Sequence, residues 1–195
     1  MIKKLQALKA KKGFTLVELV VVIAIIGVLA AILVPTMLGV VQDSRITSAD
    51  SSASQIKTQT TTWLTNMDAA KKTLKGGTGE VTVSVTAGEW STSGVGSFQT
   101  GTGTAASWTD GPDKNFDYCL FMADTLRDIK NATISLTLLN GGVVGVAIVD
   151  GDASYSGTMP AQADWDAGTF GFGGDKAGLD TDGVVIGTNP KLQKS

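Results

Sequence analysis

One feature constrains this chain more than any other: an apolar run from Phe14 to Val41 that carries a single ionisable side chain, Glu18. From Leu19 to Val34 every residue except Gly27 is Val, Ile, Leu or Ala. The 21 residues from Phe14 to Val34 make a helix about 31 Å long at about 1.5 Å per residue. That length matches the roughly 30 Å hydrocarbon core of a bilayer. Beyond the run the chain turns rich in Gly, Ser, Thr and Asp. The contrast predicts a membrane-associated stalk joined to a water-exposed head, and 195 residues give room for one domain plus such an appendage.

Charge follows the same division. Lys3, Lys4, Lys9, Lys11 and Lys12 all precede Gly13. Lysines crowded on one side of a membrane span predict a cytoplasmic N-terminus and a head on the far side. Without residues 1–13, eleven basic residues face eighteen acidic ones, a formal charge of −7. An acidic body of this kind is a poor binder of nucleic acid, so no such partner is read here. The chain has no histidine, which removes the usual general base and the commonest zinc ligand. Cys119 is the sole cysteine and cannot form an intrachain disulfide. It reads as a small buried apolar residue in preference to a reactive thiol.

Three kinds of segment fit the apolar run. A secretory signal would be cut after it, at Val28-Leu29-Ala30. A signal anchor would simply tether the head. A third kind of signal would be cut before it, so that the apolar helix is retained. Glu18 separates the three, because a carboxylate within a membrane helix costs a few kcal/mol and is usually functional. Cleavage between Gly13 and Phe14 would create a positive α-amine four residues from Glu18. The carboxylate of one subunit could then neutralise the amine of the next inside an apolar filament, leaving no buried charge unpaired. The plainer alternative is a carboxylate that snorkels to the headgroup layer.

The stretch Lys11-Lys12-Gly13-Phe14-Thr15-Leu16-Val17-Glu18-Leu19, followed by Val20 to Ile32 and then Pro35, closely resembles the signature of type IV pilins and pseudopilins. The resemblance covers about the first forty residues and fades in the head. It implies cleavage after Gly13 by a prepilin peptidase, N-methylation of Phe14, and an assembly role for Glu18. It implies as partners a pilus assembly platform, the cytoplasmic membrane and further copies of the chain. It also makes Gly27 to Pro35 a candidate helix-melting segment. On residue chemistry alone a simple kink at Pro35 serves as well.

After Pro35 the pattern becomes regular. Ile46, Ala49, Ala53, Ile56, Thr60, Trp63, Met67, Ala70 and Leu74 recur at alternating spacings of three and four. This is one apolar face of an amphipathic helix, ended by Gly76-Gly77. Small and polar residues on the stripe favour packing on a sheet over a coiled coil. Val81, Val83 and Val85 alternate with Thr82, Ser84 and Thr86 as a half-buried strand. From Ala87 to Gly111 the Gly, Ser and Thr content predicts a long surface loop with one short strand. Tyr118, Cys119, Met122, Leu126 and Ile129 mark a short amphipathic helix, and two strands near Thr133–Leu139 and Val143–Asp150 flank the hairpin signal Asn140-Gly141-Gly142. The predicted fold is α+β, a long N-terminal helix packed on a small antiparallel sheet. Its parts are a leader (1–13), a membrane or filament-core helix (14–42), an amphipathic half (43–75) and a β-rich head (76–195).

No P-loop lysine, complete dinucleotide fingerprint or serine elbow occurs, so an enzyme is not expected. Asp175, Asp180 and Asp182 place carboxylates at short spacing, and Asp150 and Asp152 do so more weakly. Calcium takes six to eight oxygens, but the spacing matches no full calcium loop, and solvated turn aspartates are the plainer reading. The resemblance adds the C-terminal calcium site of major pseudopilins. Trp63 is the one aromatic between Phe14 and Leu74, too sparse for an aromatic path along the helix. Trp90, Trp108 and Trp165 read as core or subunit-contact residues. The expected function is a structural subunit, the major pilin of a type IV pilus. It would be held in the cytoplasmic membrane as a single-pass precursor, then assembled into a surface fibre. The alternatives are a type II secretion pseudopilin, a minor adhesive pilin, or a secreted binding domain released by signal peptidase.

Overall fold

A computed structural model describes residues 14–70, 74–75, 79–93, 98–100, 105–106 and 117–195. The chain divides into two units, residues 1–43 and residues 44–195. Helix α1 (Leu16–Ala69) begins in the first unit and ends in the second. In the first unit its large apolar side chains are all exposed, from 46 % at Val22 to 78 % at Leu16. This part of the helix is long and apolar enough to cross a membrane, and none of that apolar window is buried.

The second unit is an α+β fold. The C-terminal part of α1 buries Ile46, Ala49, Ala53, Ile56, Thr60, Trp63 and Met67, the stripe expected from the three–four spacing. Two members of the expected stripe depart from it. Ala70 is exposed in the turn after the helix. Leu74 lies in strand β1 (Leu74–Lys75), opposite Thr100 of β4 (Phe98–Thr100), so its backbone is held by a ladder and not by a last helical turn. Gly76-Gly77 fall outside the described residues.

The stripe's one hydroxyl, on Thr60, is satisfied within the core. It donates to the Ile56 carbonyl at 2.8 Å and lies 2.9 Å from the Tyr118 hydroxyl. Trp63 meets Tyr118 edge to face, with ring centroids 5.3 Å apart, a favoured aromatic geometry. Burial pushes the Tyr118 phenol well above its ordinary value.

The main sheet has five antiparallel strands in the order β3-β2-β6-β7-β9: β2 (Gly79–Thr86), β3 (Glu89–Ser93), β6 (Ala132–Leu139), β7 (Gly142–Asp150) and β9 (Gly187–Asn189). Val81, Val83 and Val85 of β2 and Ile134, Leu136 and Leu138 of β6 point into the core that holds α1, as strand alternation requires. Strand β5 (Ala105–Ala106) joins β1 and β4 in a separate three-stranded sheet.

The stretch from Ala87 to Gly111 is therefore more ordered than its composition predicts. It contributes β3, β4 and β5, with Trp90 buried opposite Val85. Cross-strand pairing overrides a composition dominated by loop-forming residues. Trp108 lies outside the described residues. Helix α2 (Tyr118–Thr125) starts at Asp117, whose Oδ1 accepts from the Leu120 amide at 3.0 Å. It ends four residues before Ile129, with Leu126 as a buried C-cap.

A second core lies on the opposite face of β7. Val146 and Ile148 belong to the first core, whereas Ala147 and Val149 join Trp165, Phe170, Phe172, Ile186 and Leu192. This layer comes from the segment after β7, which holds α3 (Gln162–Ala167), β8 (Thr169–Phe170) and β10 (Gln193–Lys194). The Trp165 indole N–H donates to Thr137 Oγ1 at 2.8 Å, pairing a buried hydroxyl on β6. Gly145 is open for the same ring, because a Cβ there would overlap the Trp165 indole. The final segment is tied back to α1 through Asp50. Its Oδ1 accepts from the Thr188 amide at 2.9 Å, and its Oδ2 lies 3.1 Å from Lys191 Nζ. Lys57 makes a further tie, donating to the Val144 carbonyl at 2.9 Å.

Candidate functional site

The start of α1 is built around its own acidic residue. Thr15 precedes the first helical residue, and its amide donates to Glu18 Oε2 at 2.9 Å. Its hydroxyl donates to the same oxygen at 2.8 Å, and the Glu18 amide lies 3.2 Å from Thr15 Oγ1. This reciprocal arrangement is a capping box, which satisfies two of the amides that a helix start leaves without partners. The motif was readable as Thr15-Leu16-Val17-Glu18, yet Thr15 is a residue that the sequence reading passed over. Phe14 stands immediately before the cap and is exposed. Gly13 lies outside the described residues.

The capping box also changes how the carboxylate is presented. Its two intramolecular bonds converge on Oε2. A charged oxygen that accepts two hydrogen bonds at a helix N-terminus is partly compensated by the bonds and by the helix dipole. The cost of holding Glu18 in an apolar run is correspondingly reduced. An incoming cation would meet a carboxylate already aimed along the helix start.

Gly27 and Pro35 both lie inside α1, which is helical through both positions. A Cβ built on Gly27 would meet open space, so among the described residues nothing requires a glycine there. Pro35 has no amide hydrogen to give the carbonyl of Ala31. At the next residue, the Thr36 hydroxyl folds back onto the helix, donating to the carbonyls of Leu33 at 2.9 Å and Ile32 at 3.3 Å. The one carbonyl that Pro35 leaves without its i+4 amide, that of Ala31, lies between Gly27 and Pro35.

The C-terminal aspartates are arranged differently from a cation cage. Asp180 Oδ2 accepts from the Tyr155 hydroxyl at 2.5 Å, and Asp180 Oδ1 accepts from the Thr181 amide at 2.7 Å. These two bonds hold the Asp180 carboxyl below its ordinary range. Partial burial, then Asp180 itself, raises the Tyr155 phenol. Asp175 and Asp182 are exposed. Among the described residues no group of three or more acidic, histidine or cysteine side chains is brought together to hold a metal ion, so Asp175, Asp180 and Asp182 do not form such a group. Asp152 closes a local turn, accepting from the Ser154 amide at 2.8 Å. Cys119 is half-buried beside the first core. Burial, followed by the nearby Asp117, raises its thiol and keeps it protonated.

Comparison with known proteins divides at the same place as the chain. Residues 8–34 match the Prokaryotic N-terminal methylation motif, and residues 46–193 match the family described as Domain of unknown function (DUF5021). A fimbrial protein of Pseudomonas aeruginosa is 49 % identical over 51 residues, 26 % of this chain and 33 % of that protein. A fimbrial protein of Moraxella nonliquefaciens is 44 % identical over 55 residues, covering 28 % and 36 %. The type IV major fimbrial protein FimA of Dichelobacter nodosus is 38 % identical over 69 residues, covering 35 % and 44 %. The chain thus spans between a third and under half of the length of these relatives. No solved structure matches it. The chain belongs to the family described as Domain of unknown function (DUF5021), whose model fills its head, and its N-terminal segment carries the methylation motif and the likeness to fimbrial proteins that support the type IV pilin family.

Proposed function

We propose that this chain is the major structural subunit of a type IV pilus and that it works by assembly, not catalysis. Residues 1–13 are a leader, removed after Gly13 by a prepilin peptidase that also methylates the new Phe14 amine. Before assembly the precursor is held in the cytoplasmic membrane by its apolar helix, with the lysine-rich N-terminus inside. The assembly platform then extracts it into a helical polymer of identical subunits at the cell surface.

The observation that carries this reading is the pairing of two properties on one segment. The apolar side chains from Phe14 to Val41 are all exposed, and the lone carboxylate among them sits at the helix start beside the prospective amine. Burying such a surface against neighbouring helices is favourable at about 25 cal/mol per Å². Keeping some twenty large side chains out of water once they have left the bilayer outweighs any single polar contact. Glu18 therefore acts on register more than on total stability: its carboxylate admits a neighbour only where the Phe14 amine can neutralise it. The segment from Gly27 to Pro35, where a glycine lowers helix propensity and the proline leaves one carbonyl without its amide, supplies the place at which a packed helix can lengthen.

Glu18→Ala is the sharpest test. The variant is expected to remain membrane-integrated, because it becomes more apolar, and to yield no fibres. Abundant fibres of normal morphology from Glu18→Ala would refute the pairing role. Correct processing after Gly13 in native cells that never display a surface fibre would assign the chain to a secretion pseudopilus instead.

A further inference from the structure

Asn140 and Gly141 are the whole turn of the β6–β7 hairpin, because the ladder pairs Leu139 with Gly142 and steps over the two residues between. Both take positive φ, 53° and 81°, a conformation that an Asn-Gly pair favours. Leu139, Asn140 and Gly142 are exposed, so the turn stands at an open tip of the hairpin. The dipeptide that makes this turn also carries chemistry. An asparagine Cγ is open to attack by the backbone nitrogen of the next residue, which closes a five-membered ring. A glycine at that next position has no Cβ to cover the nitrogen.

The fold decides which such pairs can react. Among the described residues the Asn-Gly and Asp-Gly pairs are Asn140-Gly141, Asp150-Gly151 and Asp182-Gly183. The Gly151 amide donates to the Asn131 carbonyl at 2.6 Å, and the Gly183 amide donates to the Asp180 carbonyl at 2.9 Å. An amide spent in such a bond keeps its proton and is held away from the side chain that precedes it. Among the described residues the Gly141 amide makes no such backbone bond. The other described asparagines are closed in different ways. The amide after Asn66 belongs to Met67, inside α1, and is held by the helical ladder. Asn131 Oδ1 accepts from the Ala87 amide at 3.1 Å, and the next residue, Ala132, is buried in β6. Asn189 precedes Pro190, which has no amide hydrogen to lose.

We propose that Asn140 is a self-modifying site, converted in the folded chain to aspartate and isoaspartate without an enzyme. The Gly141 nitrogen gives its proton to water and attacks Asn140 Cγ, and the side-chain nitrogen leaves as ammonia. The product is a succinimide, which water then opens at either carbonyl. Breaking the new bond to Cγ leaves aspartate at 140. Breaking the original peptide bond leaves isoaspartate, whose main chain runs through Cγ and is one carbon longer. Each product replaces a neutral amide with a carboxylate, so the hairpin tip gains one negative charge. The two differ in what they do to the fold. Asp-Gly supports the same two-residue turn, so the aspartate form keeps the hairpin. Isoaspartate lengthens the loop that sets the register and loosens the pairing of Leu139 with Gly142.

The test ages the full chain in detergent at mildly alkaline pH, in one sample folded and in another unfolded by guanidinium chloride. Peptide mass spectrometry follows the loss of the amide at each asparagine. Methyl transfer by an isoaspartyl carboxyl methyltransferase marks isoaspartate peptide by peptide. In the folded sample the peptide holding Asn140 is expected to convert and to accept methyl groups. Peptides holding Asp150 and Asp182 are expected to accept them only in the unfolded sample. Asn140→Gly keeps a favoured Gly-Gly turn and is expected to lose the folded-state signal completely. No conversion at Asn140 in the folded chain, over a period in which the unfolded chain converts, would overturn the proposal. Methyl uptake by folded Asn140→Gly equal to that of the wild type would overturn it as well. So would methylation at Asp150 or Asp182 in the folded chain equal to that at Asn140, because tied amides would then give no protection.

Discussion

Thr15 and Glu18 illustrate what a residue can do that its type alone does not announce. The carboxylate drew attention because charge is costly in an apolar run, but its immediate partner is its own chain, through a capping box three residues wide. Elsewhere at this scale, Tyr155 and Asp180 couple the second core to pH. Asp180 is held below its ordinary value, so its contribution is present above about pH 4 and is lost as pH falls towards the depressed value. Tyr155 is raised, so its contribution is present below about pH 10 and is lost as pH rises above that. We predict that Asp180→Asn flattens the acid limb of a stability–pH profile while changing little near neutrality, as followed by denaturant midpoints across pH. An acid limb identical to that of the wild type would contradict the coupling. A second residue-scale prediction concerns Gly145, where any Cβ overlaps the Trp165 ring. Gly145→Ala is expected to destabilise the head by about 1–3 kcal/mol, read from tryptophan fluorescence during urea denaturation.

At the scale of elements, legibility tracked how much of the physics was local. The α1 stripe from Ile46 to Met67 was readable because helix periodicity is written in adjacent residues. The β6–β7 hairpin was readable because Asn140 and Gly141 both adopt positive φ, which an Asn-Gly pair favours. The β2–β3 hairpin was not. Its turn is Ala87-Gly88, and Ala87 takes φ 53° without the side chain that usually marks such a position. Replacing it should help: Ala87→Asn is expected to stabilise the head by about 1 kcal/mol, seen as a raised denaturation midpoint at unchanged slope. The ends of α1 and α2 were overextended for a related reason. The stripe continues past the point where Leu74 is taken by β4, and only the distant partner decides the boundary. The three-stranded sheet of β1, β4 and β5 has no local signature in a run of Gly, Ser and Thr.

At the scale of the whole molecule, the two units answer to different surroundings. The second unit is self-sufficient, with α1 buried on one face of its sheet and a separate aromatic core on the other. That second core was hardly visible in the sequence. Its members are scattered from Ala147 to Leu192 among turns, and only β7, facing both ways, brings them together. The first unit leaves its apolar side chains exposed, and membrane and filament are the two settings in which such a surface is stable. The proposed cleavage, methylation and charge pairing are read from contiguous residues, Gly13 to Glu18, and the structure adds to them the capping box of Thr15 and Glu18.

The central claim is that the apolar helix is retained and polymerises. It is tested most directly by shearing fibres from the native cells and measuring the intact mass and N-terminus of their main protein. The account predicts a chain that begins with methylated Phe14. A chain that begins at Ala31 and is found free in the medium would contradict it, because the segment proposed to build the fibre would have been discarded.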